Sequence, residues 1–103
     1  MSIVQGNSKS FEALVSSDLV LVDFFATWCG PCKMLAPVLD LMVKEDETLK
    51  IVEIDVDQEQ ELAMKYGVMS IPTLILFKNG HVVSQKLGFM PKELLLKWME
   101  ENK

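Results

Sequence analysis

Apolar residues recur along this chain with two periods, and the period switches mark out its elements. Leu19 to Ala26 is an almost unbroken run of leucine, β-branched and aromatic residues interrupted only by Asp23, which predicts a strand buried on both faces. Ile51 to Val56 alternates apolar with acidic residues and reads as a second strand. Thr73 to Phe77 and Val82 to Leu87 flank Asn79-Gly80, a hairpin signal because both central residues tolerate positive φ. Ile3-Val4 is a candidate short strand ahead of these. Helical spacing fills the intervals. Asn7 and Ser8 offer N-caps to a short helix with Phe11, Leu14 and Val15 on one stripe. Met34, Leu35, Val38, Leu41 and Met42 recur at three and four behind Pro31, in a helix that runs into Glu45 to Glu47 and that Pro37 should kink. Gln58 to Tyr66 forms a short helix stopped by Gly67, and Pro91 opens a last one with Leu94, Leu95, Trp98 and Met99 inward.

The order β, α, β, α, β, β, α, with one helix and a short strand in front, predicts an α/β domain. Strands joined through helices pair in parallel and the C-terminal hairpin adds an antiparallel edge, giving a central mixed sheet with helices on both faces. Its 103 residues suit a single domain over 1–103, large enough to bury a core without disulfide staples or metal.

Charge and cysteine count narrow the function. Ten Lys and Arg against fifteen Asp and Glu, a formal charge of −5, argue against a nucleic-acid surface. Two cysteines and one histidine leave a four-ligand zinc site short of ligands unless two chains share an ion. The polar start, Met1 to Ser10, does not read as a signal peptide, and the longest apolar stretch falls far short of the roughly twenty residues of a membrane span. A cytoplasmic protein is expected.

The chemistry concentrates in Trp28-Cys29-Gly30-Pro31-Cys32-Lys33, between the buried strand and the long helix. Two cysteines three positions apart across a helix start can bring their sulfurs within bonding distance. The unpaired N–H groups and positive dipole end there favour a thiolate. Cys29, ahead of the helix, should be exposed and attack. Cys32, in the first turn, should be less exposed and resolve. Half a zinc site, or two small buried residues, are the competing readings, and the βα placement favours redox work.

These residues carry a family resemblance. Val22-Asp23-Phe24-Phe25-Ala26-Thr27-Trp28-Cys29-Gly30-Pro31-Cys32-Lys33, with Ile71-Pro72-Thr73, Lys78-Asn79-Gly80 and Gly88, closely resembles the thioredoxin family over essentially the whole chain. The resemblance implies the thioredoxin fold and dithiol–disulfide exchange through Cys29 and Cys32 without a bound cofactor. It implies electrons from NADPH through a flavin-containing thioredoxin reductase. The clients implied are disulfide-containing proteins such as reductases and peroxidases, served by a monomer. Asp23, a carboxyl out of place in a buried strand, is the candidate proton acceptor for Cys32, its pKa raised by desolvation. A cis Ile71–Pro72 bond is implied opposite the cysteines, where the Ile71 backbone could meet a client chain. Trp28, Gly30, Pro31, Ile71, Gly88 and Phe89 should make a flat apolar docking rim, with Met69 and Met90 at its flanks.

Three departures stand out. Glu53 lies where bacterial relatives commonly carry Lys, and a second carboxylate there should raise the Asp23 pKa further. Phe89 is bulkier than the small residue often found at its position, and Phe25 replaces a Trp. The methionines read as packing, while His81 and Lys33 read as solvated. An oxidant or isomerase of the same fold is the alternative; in the family, Gly30-Pro31 goes with reducing members.

Overall fold

The computed structural model describes residues 3–103. Its strands are Ile3–Gln5 (β1), Val20–Phe25 (β2), Ile51–Asp55 (β3), Thr73–Lys78 (β4) and His81–Leu87 (β5). Its helices are Phe11–Leu14 (α1), Gly30–Glu45 (α2), Gln60–Lys65 (α3) and Lys92–Glu101 (α4). The sheet order is β1-β3-β2-β4-β5, with β1, β3 and β2 parallel and β4 and β5 antiparallel. The unbroken apolar run occupies the central strand, β2, between β3 and β4. Its alternate residues feed two cores. Val20, Val22 and Phe24 join Phe11, Ile54, Ile75 and Phe77 on the face covered by α1 and α3. Leu21 joins Ile51, Leu74 and Leu76 against α2 and α4.

The mixed α/β sheet agrees with the pattern, with one refinement. The link through α3 does not give a parallel neighbour: β4 passes beyond β3 and pairs antiparallel with β2. Asn79 and Gly80 take positive φ (53° and 86°) in the β4–β5 turn, as their identities predict. Their N–H groups bond the carbonyls of Ser17 and Val15 at 2.8 and 3.0 Å, fastening the turn to the loop before β2. Gly67 ends α3 with φ 66°. Its N–H reaches Met64 O, and that of Val68 reaches Ala63 O, so two carbonyls of the last turn are satisfied beyond the helix end.

Several helix assignments shift. Asn7 caps the turn before α1, accepting from the N–H groups of Lys9 and Ser10, while Ser10 stands at the N-cap position. The buried stripe of α2 is Cys32, Leu35, Leu39 and Met42; Met34 and Leu41 face solvent and Val38 is half-buried. The helix continues through Pro37 to Glu45. On α4, Leu95, Trp98 and Met99 are buried and Leu94 is exposed. Met42 and Met99 pack in the core, but Met34, Met64 and Met69 are exposed. Packing therefore explains only part of the methionine content.

Candidate functional site

Parallel strands deliver their carboxyl ends to one edge of the sheet, and the chain after β2 turns there into α2. Cys29 is the N-cap of α2, in extended conformation, with Pro31 in the first turn. Cys29 and Cys32 form a disulfide, Cα atoms 5.2 Å apart. The Cys29 sulfur accepts the Cys32 N–H at 3.2 Å, so a backbone donor that the helix leaves unpaired is spent on this sulfur. Negative charge released on Cys29 by reduction meets that donor and the positive end of the helix dipole.

Exposure does not distinguish the two cysteines as expected. Cys29 is 4% exposed and Cys32 5%, both packed with Ala26 against Phe25, Val56 and Ile71. The Cys29 sulfur lies 3.8 Å from the Ile71 carbonyl oxygen. What separates them is the capping hydrogen bond.

Ile71–Pro72 is cis, as the resemblance implies. The Pro72 carbonyl accepts the Gly88 N–H at 2.8 Å, which holds the loop before β4 to the end of β5. The rim residues differ in exposure. Trp28 is 67% exposed, Phe89 39% and Met69 95%; Gly30 and Pro31 are exposed, Ile71 and Gly88 half-buried. Met90 is half-buried against the α2–α4 core instead of free beside the rim. The Trp28 indole N–H donates to Asp57 Oδ2 at 2.8 Å, fixing the ring beside the disulfide. Asp57 was missed by sequence reasoning, whose only signal was its place just past the carboxyl end of β3.

Asp23, on β2, is 2% exposed, and its Oδ1 has no hydrogen-bond partner among the described residues. Burial, and after it the Glu53 carboxylate, push its pKa up to about 7. Asp23 and Glu53 are register partners across β2 and β3. Glu53 is raised by its own burial and by Asp40, against a hydrogen bond from Gln5 Nε2 that lowers it. Asp23, Cys32, Lys33, Glu53 and Gln5 line one cleft of ≈ 310 Å³. Phe25 lines the same cleft and packs on the cysteine cluster, an aromatic wall in the place of the family's Trp. Lys33 and His81 are exposed, in line with their solvated reading.

A cysteine pair that opens and closes one bond at the mouth of a helix, on a mixed sheet, makes this a dithiol–disulfide oxidoreductase. Comparison with known proteins narrows the class. The thioredoxin family profile matches residues 2–101. The chain is 57% identical over 96 residues to thioredoxin of Bacillus subtilis, covering 92% of each chain. It is 48% identical over 103 residues to thioredoxin of Staphylococcus aureus, covering 99% of each. Among solved structures, a mutant thioredoxin from Halobacterium salinarum superposes with a TM-score of 0.86 at 39% identity, over 96% of this chain and 87% of that one. The chain belongs to the thioredoxin family.

Proposed function

We propose that this protein is a general protein-disulfide reductase and electron carrier, with residues 1–103 acting as one domain. Cys29 is the nucleophile, Cys32 the resolving thiol and Asp23 the proton acceptor for Cys32. The Cys29 thiolate attacks one sulfur of a client disulfide; a mixed disulfide forms and the client's other sulfur leaves with the electron pair. Asp23 takes the Cys32 proton, and the Cys32 thiolate attacks the Cys29 sulfur. The internal disulfide forms, the second client sulfur departs, and two electrons have passed to the client. The second step is intramolecular, which gives Cys32 an advantage over any free thiol. Trp28, Gly30, Pro31, Ile71, Pro72, Gly88 and Phe89 receive the client chain.

Re-reduction is by NADPH through a thioredoxin reductase, in the cytoplasm, with the carrier acting as a monomer on reductases and peroxidases. No described helix is long and apolar enough to cross a membrane. The observation that carries this reading is the Cys32 N–H held on the Cys29 sulfur at 3.2 Å, which makes Cys29 the better leaving and attacking group.

Insulin reduction followed by turbidity, with dithiothreitol as reductant, tests the activity. Cys29→Ser should abolish turnover, while Cys32→Ser should accumulate mixed disulfides through Cys29. A midpoint potential below that of the glutathione couple is expected; one above it would assign the protein to the oxidants or isomerases instead.

A further inference from the structure

Three strands present polar groups in one row on the α2 face of the sheet. Gln5 on β1 is the register partner of Glu53 on β3, and Glu53 that of Asp23 on β2. Neighbouring strands lie about 4.8 Å apart, so register partners on one face bring their carboxylates into reach of each other or of one bridging water. The row runs from the buried Asp23, through the half-buried Glu53, to the exposed Gln5, and all three line the cleft that also reaches Cys32. Gln5 Nε2 donates to Glu53 Oε1, fixing the outer carboxylate. Among the described residues, helix α2 contributes Lys33 at the cleft and Asp40, whose charge acts on Glu53, and β4 sets Leu74 opposite Asp23.

We propose that Glu53 is a positioning residue for the resolving step, a relay that accepts the proton Asp23 takes from Cys32 and passes it to solvent, with Gln5 holding it in place. The inference rests on the assignment of Asp23 as base. The Cys32 S–H bond breaks and an Asp23 O–H bond forms; that proton then moves to a Glu53 oxygen and on to water, restoring both carboxylates. The electron pair left on Cys32 makes the bond to Cys29, and the pair of the broken Cys29–client bond leaves with the client sulfur. A buried acid with no outlet would keep its proton; the graded burial of this row supplies the outlet.

Reaction of the reduced protein with dithiobis-nitrobenzoate separates the steps, since one chromophore is released as Cys29 attacks and the second as Cys32 resolves. Glu53→Gln should slow the second release about fivefold on the plateau above the Asp23 titration, leaving the first unchanged, a fraction of the hundredfold or more of a direct general base. Added formate should restore part of the rate. Gln5→Ala, at the exposed edge, should slow the same step less. A Glu53→Gln profile that only slides along the pH axis, its plateau intact, overturns the relay and leaves a purely electrostatic influence. Asp23→Asn is the control. If it slows the second release while Glu53→Gln does not, the relay alone is lost; if it has no effect, the base assignment falls and the relay with it.

Discussion

A carboxyl on a central strand, 2% exposed and with one oxygen unpartnered among the described residues, opposes folding whenever it is ionised. Asp23 titrates at about 7 in the folded protein, against an ordinary value of 3.8. Between those two values the native state holds a proton that the unfolded chain has released, so stability falls as pH rises through this window and levels off above about 7. At about 1.4 kcal/mol per unit, the penalty approaches about 4 kcal/mol on the alkaline side. Asp23→Asn should therefore stabilise the protein by a few kcal/mol near pH 8 and by little near pH 4, as measured by urea unfolding at both. An equal gain at the two pH values would refute the buried-charge account. The same residue was legible because a charge inside an eight-residue apolar run is out of place in a buried strand, and because the family resemblance implies a buried carboxyl there. Cys29 and Cys32 were legible because their chemistry depends on spacing along the chain, whereas the cis bond at Pro72 was implied only by the family resemblance. The near-equal burial of the cysteines, the Trp28–Asp57 bond and the Gln5–Glu53 row were not, since each depends on which distant segment packs against the residue.

At the scale of elements, antiparallel pairing of β4 with β2 sets Phe77 against Val20 and Thr73 against Phe24. The Asn79-Gly80 turn therefore lies at the opposite end of the sheet from the disulfide, which follows β2. Gly80→Ala places a Cβ on a backbone with φ 86° and meets no neighbouring atom, so its effect is conformational alone. We expect a loss of about 1–2 kcal/mol in unfolding free energy with insulin reduction unchanged. A fall in activity matching the fall in stability would show that the hairpin reaches the site. This turn was readable from two residues because its φ values exclude most others. The inner faces of α2 and α4 were less so, for both helices carry apolar residues on more than one side: Met34, Leu41 and Leu94 fit the period yet face water. The place of β4 was also beyond local reading, because it pairs with the edge of β2 that β3 leaves open, away from the strand that precedes it in sequence.

On the scale of the whole molecule, the disulfide is nearly buried while three apolar residues proposed for client docking are exposed, and that contrast offers a way to separate recognition from chemistry. Trp28, Met69 and Phe89 are 67%, 95% and 39% exposed, while the sulfurs' own residues are 4% and 5%. On the proposed function, a protein client lays chain across these residues to bring its disulfide to Cys29, whereas a small aromatic disulfide need only reach the sulfur. Phe89 is attached at the Gly88 turn, whose N–H is held by Pro72, so its ring is offered from a fixed platform. Truncating it removes contact area that only the larger substrate uses. Burial of the exposed part of one phenylalanine is worth about 1 kcal/mol, which corresponds to about a fivefold change in binding. Phe89→Ala should therefore raise KM for insulin about fivefold with kcat nearly constant, while its reaction with dithiobis-nitrobenzoate keeps the parent rate. Because the contact is apolar, the difference between variant and parent should persist from low to high salt. A variant that slows both substrates equally would place Phe89 in the support of the disulfide itself, and the separation of docking from exchange would have to be abandoned.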